Sequence, residues 1–512
     1  MKILSASQFY EADAYTISTQ GITSDALMER AATEIFNWLH VRLQGAPITI
    51  HLFCGIGNNG GDGIAVARLM QEHGYNIKVY VVNYSDKRSK DFLLNLERLK
   101  DRKIWPAFLQ EDSELPEIAK EDIVVDAIFG IGLNRAPAPW VKRIIQHING
   151  CKAFVLAVDI PSGLYADGSP DDVEAVVEAD FVLTIQLPKL SFFLPTTGVF
   201  CKQWEVVNIG LDQGFIQNTP AAYKLIGKNE ALQFYRPREK YSHKGTYGHT
   251  LIVGGSMGKI GALILSATAC LKSGSGLVTT YGPKCGYIPL QTAVPEAMMI
   301  VDKGEECITN IEYIIKPTVV CMGMGMGQDV ATAKAVEQFL TTYKGALLLD
   351  ADALNLLSSN EDWWSLLPQQ TVLTPHPKEL ERLIGAWKNE DEKLKKAKAF
   401  SAKYSLIIVI KGANTMVISN GIGYINTSGN PGMATGGSGD VLSGIIGGLI
   451  AQQYTPLQAA IFGVYLHGKA ADIAVSKTGY QSLTASIIAD HLGSAYISLF
   501  ETQAPATEQQ KE

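Results

Sequence analysis

The run Asn430-Pro431-Gly432-Met433-Ala434-Thr435-Gly436-Gly437-Ser438-Gly439-Asp440 sets a series of glycines beside a carboxylate. Glycines let a backbone turn its N–H groups onto an anion with no side-chain bulk in the way. An apolar helical pattern starts directly afterwards. The amides therefore lie at a helix N-terminus, where the dipole favours negative charge. Asp440 is placed to accept a proton from a hydroxyl beside a bound phosphate. The chemistry implied is phosphoryl transfer to an alcohol.

A second glycine run, Cys54-Gly55-Ile56-Gly57-Asn58-Asn59-Gly60-Gly61-Asp62-Gly63, follows an apolar strand pattern and opens a helix. That is the crevice position where doubly wound sheets bind ligands. The spacing is not GxGxxG, and without a Lys-Ser/Thr pair it is not a P-loop. It could offer amides and carbonyl oxygens to a phosphate or a monovalent cation; a tight structural turn is the competing account. Two further strand ends carry acids. Asp126 stands in an apolar stretch before Phe129-Gly130-Ile131-Gly132-Leu133-Asn134, and Asp159 opens Asp159-Ile160-Pro161-Ser162-Gly163. A single such Asp is commonly a cap, but two beside a glycine nest point to a polar pocket.

Other segments of the second half share one pattern, a strand ending in a polar or glycine turn. Tyr241-Ser242-His243-Lys244-Gly245 precedes a strand that ends in Gly254-Gly255-Ser256. Gly323-Met324-Gly325-Met326-Gly327 would let a backbone pass close to a planar ligand, or its methionines simply fill gaps. In Thr374-Pro375-His376-Pro377 the prolines hold the histidine rigid, which favours a ligand-facing role over an ordinary loop residue. Lys411-Gly412-Ala413-Asn414-Thr415 suits nucleotide phosphates or ribose, with a solvated hairpin lysine as the alternative.

Alternating strands and helices must position these groups, so the expected fold class is α/β, with two doubly wound parallel sheets covered on both faces. Strand patterns fall at 48–54, 77–83, 123–129, 153–159 and 181–185, with helices at 24–42, 63–72 and 139–148. After a Gly, Gln, Asn and Pro-rich stretch, strand patterns resume at 250–255, 347–350, 372–374 and 406–410. Helices are expected at 262–273, 331–342, 377–384, 439–450, 456–476 and 484–500. The expected domains are 1–217 and 224–502, with a frayed tail at 503–512.

The totals narrow the class. A chain of 512 residues exceeds one domain, and 46% hydrophobic with 19% charged residues is ordinary for a globular protein. A net charge of -7 without basic runs argues against a nucleic-acid partner. Seven scattered cysteines with no CxxC suit a reducing, cytoplasmic setting and no structural zinc. The N-terminus turns polar too early for a signal peptide, and the apolar stretch 441–451 is too short to span a membrane.

On these motifs, residues 1 to about 215 resemble the NAD(P)HX epimerase family, through G-x-G-N-N-G-G-D-G, D-x-x-F-G and D-I-P-S-G. The rest resembles the ribokinase-like superfamily and, more closely, the ADP- or ATP-dependent NAD(P)HX dehydratases, through H-K-G-x-x-G, V-G-G-S, T-P-H-P and N-P-G-x-A-x-G-G-S-G-D-V-L-x-G. The first resemblance implies interconversion of the C6 epimers of hydrated NADH or NADPH. It gives Asp159 the acid/base role, with Asn58, Asn59, Gly60, Gly61, Asp62, Gly130, Ile131, Gly132, Leu133, Asn134, Arg135 and Ala136 on the damaged cofactor. Asn59, Asp126 and Ser162 would hold a potassium ion, for which all-oxygen ligation is suited. The second implies dehydration of the S epimer driven by ADP (or ATP) with Mg2+. Asp440 would be the base, and Ala262, Gly325, His376 and Asp440 would line the NAD(P)HX site. Lys411, Gly412, Ala413, Asn414, Thr415 and Gly439 would bind the nucleotide. The expected partners are NADHX or NADPHX and ADP, and the protein itself is expected to be a homo-oligomer. A vitamin-alcohol kinase and a non-enzymatic interaction module are the rival readings.

Overall fold

The computed structural model describes residues 1–501, and the expected tail at 503–512 lies outside the described residues. The chain divides into two compact units, one of residues 2–223 with 389–391, the other running from Lys224 onward.

In the first unit a seven-stranded sheet runs in the order Ala107–Leu109, Asn76–Val82, Thr49–Cys54, Ile123–Ala127, Phe154–Val158, Phe181–Ile185, Trp204–Val207. Its neighbouring strands pair in parallel throughout. The strands read as continuous apolar runs because successive side chains feed two separate cores. Leu52, Val81, Val125 and Leu156 pack with Ile35, Ile64 and Phe92 of three helices on one face. Phe53, Val82, Val124 and Val155 meet Val141, Ile144 and Ile148 of Pro139–Gly150 on the other. The chain leaves Thr49–Cys54 toward one edge and returns at Ile123–Ala127 toward the other. The switch point of the sheet is therefore between these two strands.

Strand positions match expectation to within a residue or two, but one helix does not. Asn58–Glu72 begins inside the glycine run, not after it at residue 63. Helical glycine costs about 1 kcal/mol relative to Ala, yet close contact requires it here. A Cβ on Gly60 would stand 2.0 Å from the Gly55 carbonyl oxygen, and one on Gly63 would stand 2.6 Å from Ala127 Cβ. A further helix, Ala6–Gln20, was not anticipated, although Ser5 and Gln8 form its capping box.

The second unit carries parallel strands in the order Met298–Val301, Leu277–Gly282, His249–Val253, Val319–Met322, Ala346–Leu349, Val372–Leu373, Ile407–Ile410. Met416–Ser419 and Ile422–Asn426 then continue it antiparallel. Helix Ser438–Ala451 is buried along its length beside Ile260–Ser273 and Pro456–Thr478. Its glycines allow backbone contact. A Cβ on Gly444 would come within 2.2 Å of the Ser266 carbonyl oxygen, and one on Gly447 within 2.3 Å of Cys321 Sγ. The single helix expected at 484–500 is two, Ala485–Asp490 and Leu492–Ser498, separated at His491.

Candidate active sites

A cavity of about 800 Å³ opens at the switch point of the first unit. Asn58, Asn59 and Asp62 line it from the first turn of Asn58–Glu72, the loop Gly130 to Ala136 lines it after Ile123–Ala127, and Asp159 enters from the end of Phe154–Val158. Gly60 and Gly61 do not line it; they pack beneath, against Gly55 and Met28.

Asp159 has a φ of 66°, a left-handed conformation that costs a non-glycine residue on the order of 1–3 kcal/mol. Its carboxylate accepts from the Ile185 amide at 2.9 Å and is ion-paired with Lys189, which is 1% exposed. Lys189 also donates to Thr184 Oγ1 at 2.8 Å and to the Leu187 carbonyl at 3.1 Å. Burial lowers its pKa while Asp159 opposes that shift. The pocket thus fixes one ammonium against one carboxylate. Burial, and then repulsion by Asp159, raises the Asp13 carboxyl to about 6 and holds Asp62 well above the usual range. Sequence reasoning missed Asp13, Tyr10 and Lys189, all on the cavity wall. The signals available were the Ser5/Gln8 capping box for the helix carrying the first two, and a lysine inside the apolar run from Leu187 to Leu194 for the third.

Beneath the cavity Asn59, Asp126 and Ser162 converge on one knot. Ser162 donates its amide to Asp126 Oδ2 at 2.7 Å and its hydroxyl to Oδ1 at 2.6 Å. Asn59 Nδ2 donates to the Phe129 carbonyl at 3.0 Å, and the Phe129 amide donates to Ser162 Oγ at 2.8 Å. Asp126 is fully buried, which raises its carboxyl to about 6 against those hydrogen bonds. A buried carboxylate among amide, carbonyl and hydroxyl oxygens is a donor set that fits a hard monovalent cation. No cluster of three or more His, Cys, Asp or Glu suited to a metal ion occurs among the described residues.

In the second unit, Asp440 sits in the first turn of Ser438–Ala451, behind Gly437 at a φ of 85°. Burial, followed by repulsion from Asp350, raises its carboxyl to about 7. Lys411 ends Ile407–Ile410 and pairs with Asp350 Oδ1 at 2.9 Å. Burial disfavours its charge, but Asp350, Glu379 and Asp440 together raise its pKa. A Cβ on Gly439 would meet Lys411 Nζ at 3.3 Å, so the lysine lies against the glycine turn. Asp350, which no sequence motif marks, also accepts from Ser443 Oγ at 2.7 Å and caps Ala351–Ser358.

His376 caps Pro377–Ile384: its Nδ1 accepts from the Lys378 and Glu379 amides at 3.1 and 3.4 Å. Nε2 is then left to carry the ring proton, 3.4 Å from Glu379 Oε1. Ala262 and Gly325 abut, since a Cβ on Gly325 would stand 3.0 Å from Ala262 Cβ. The adjoining Gly327 amide donates to Asp352 Oδ2 at 2.9 Å. Gly412 and Ala413 are exposed and Asn414 and Thr415 partly so, in the turn after Lys411. The geometry brings Asp440, Gly439 and Lys411 together, and His376 joins them through Glu379.

Each unit therefore carries a carboxylate and a lysine beside a glycine-built helix start, the class of site that handles phosphorylated small molecules. Residues 250–492 match the family described as NAD(P)H-hydrate dehydratase, and residues 24–191 match that described as YjeF-related protein N-terminus. The bifunctional NAD(P)H-hydrate repair enzyme Nnr of Moorella thermoacetica is 34% identical over 509 residues, covering 96% of each chain. Its Escherichia coli K12 counterpart is 34% identical over 479 residues, covering 91% of this chain and 88% of that one. An ADP/ATP-dependent NAD(P)H-hydrate dehydratase structure from Bacillus subtilis, co-crystallized with ATP/Mg2+, is 27% identical and covers 53% of this chain and 97% of that one, with a TM-score of 0.47. The chain belongs to the family of bifunctional NAD(P)H-hydrate repair enzymes. Membership sets aside the vitamin-alcohol kinase and the interaction module.

Proposed function

We propose that the 1–217 region is an NAD(P)HX epimerase, with Asp159 as its acid/base residue, and that the 224–502 region, ribokinase-like, is an ADP-dependent dehydratase of the S epimer with Asp440 as its base. The observation that carries this reading is the matched pair of sites. Each sets a carboxylate near a lysine (Asp159 with Lys189, Asp440 with Lys411) at a turn that glycine alone can fill.

In the first site the carbinol proton at C6 passes to Asp159, whose partner Lys189 holds it in place. Asn58, Asn59, Asp62 and Gly130 to Ala136 form the cradle for the damaged cofactor, with Gly60 and Gly61 packed beneath it. Asn59, Asp126, Ser162 and the Phe129 carbonyl would hold a potassium ion, which would supply positive charge beneath the cavity. In the second site Asp440 removes the C6 hydroxyl proton as that oxygen attacks the terminal phosphoryl group of ADP. The Gly437 to Gly439 amides and the helix dipole stabilise charge spreading on the phosphoryl oxygens. Lys411 to Thr415 and Gly439 face the nucleotide, whose phosphates are the natural seat for Mg2+. Ala262, Gly325 and His376 flank the nicotinamide. The phosphate ester then expels phosphate with help from the ring nitrogen lone pair, and the resulting iminium gives up a C5 proton to the departing phosphate, restoring the dihydronicotinamide.

The test uses a racemic mixture of R and S NADHX with ADP and Mg2+, reading the return of NADH absorbance. The wild-type chain should convert both epimers. Asp159→Ala should stop once the S epimer is consumed, apart from slow spontaneous exchange, and Asp440→Asn should return no NADH. Full conversion by either variant would overturn the role given to that residue.

A further inference from the structure

Epimerisation by opening a carbinolamine needs two proton positions. As the C6–N1 bond breaks and C6=O forms, one group takes the hydroxyl proton and another delivers a proton to N1. Both return when the ring closes on the other face. Asp159 supplies one position; its carboxylate is already engaged by Lys189 and the Ile185 amide, so the other position falls to a different group.

The cavity wall offers a candidate. Asp13 lies on Ala6–Gln20, a different element from the strand end that carries Asp159, and is half-buried on the lining. No hydrogen bond engages its carboxyl among the described residues. The charge balance around it is unequal. Asp13, Asp62, Asp91 and Asp159 share one cavity with Lys189 and Arg135, and Tyr10 joins them from the same helix as Asp13. Carboxylates outnumber cations on this wall, so the cavity favours a proton on one of them. Asp62 sits deeper than Asp13, at 8% exposed.

We propose that Asp13 is the second catalytic residue of the epimerase, the acid that gives N1 its proton on ring opening and recovers it on closure. The inference rests on the epimerase reading of this cavity. The step balances: the hydroxyl proton goes to Asp159, the electron pair of the C6–N1 bond goes to nitrogen, and the Asp13 proton follows it. No oxidant or second substrate is required. The groups facing Asp13 are Asp159 and Lys189 from the strand end and the turn after it, Asp62 from Asn58–Glu72 and Tyr10 from its own helix. Burial and Asp159 favour its protonated form, and Lys189 opposes them.

The experiment compares wild type, Asp13→Asn, Asp13→Glu and Asp159→Asn as full chains, with R-NADHX as substrate and excess ADP so that epimerisation limits NADH recovery. Thermal melting of each variant reports folding. The expected result is a loss in kcat of at least about 100-fold for Asp13→Asn with little change in KM, in line with a lost proton donor. The alkaline limb of its pH profile should vanish, and Asp13→Glu should restore part of both. If folded Asp13→Asn keeps kcat within about 3-fold, or loses only in KM with the alkaline limb intact, the proposal is overturned. If Asp159→Asn is also fully active, the epimerase reading itself fails, and the two failures are thereby distinguished.

Discussion

Asp440 illustrates how a single side chain joins sequence, electrostatics and rate. A general base must be ionised, and its carboxyl is pushed up to about 7 by burial and by Asp350. Dehydration of S-NADHX, measured as kcat/KM against pH, should therefore rise through pH 7 and level above it. The stability consequence has the opposite sign. A carboxyl whose folded pKa exceeds its unfolded value of 3.8 favours the folded state at low pH and loses that contribution as pH rises toward 7. Asp440→Asn, which holds no charge, should raise the melting temperature more at pH 8 than at pH 5. Equal shifts at both pH values would argue against a costly buried charge. Asp440 stood out in the sequence by the glycines before it, and Asp159 by its place at a strand end before a turn. Asp350 and Lys189 did not, because what marks them is a partner brought close only by folding.

At the scale of elements, the helix Ser438–Ala451 is positioned by the absence of side chains as much as by their presence. Gly444, Gly447 and Gly448 would place a Cβ within 2.0–2.3 Å of Ser266, Cys321 or Ser273. Gly444→Ala should destabilise the second unit by about 1–3 kcal/mol through overpacking, despite the better helix propensity of alanine. Urea unfolding followed by tryptophan fluorescence would measure it, and a neutral or stabilising outcome would mean the helix can move aside. Parallel strands were readable in the sequence as apolar runs of the right length. The start of Asn58–Glu72 was not, since glycine-rich turns and glycine-packed helices have the same composition. Ala6–Gln20 escaped notice because its buried positions Phe9, Ala12 and Thr16 make too weak a stripe to announce a helix.

On the scale of the whole molecule, the proposed function would bring successive chemistry together on one chain, the first unit making the isomer that the second consumes. Their folds need no covalent staple: all seven cysteines are free, and four of them are buried. The melting temperature should accordingly be indifferent to dithiothreitol; a fall on reduction would reveal a cross-link absent here. No helix among the described residues is long and apolar enough to cross a membrane. The expectation of two doubly wound α/β units is met by both sheets.

The burial of Ser438–Ala451 bears on motion as well as on place. From Val441 to Ala451 every residue is buried, and its neighbours press on bare backbone. Amides there have no route to solvent short of unfolding the unit, so they belong among the slowest-exchanging protons of the protein in deuterium oxide. The turn that would greet the nucleotide, residues 432–439, is more open and should exchange sooner. The glycine loop would thus breathe against an anchor that does not, and Asp440 stands at the seam between the two.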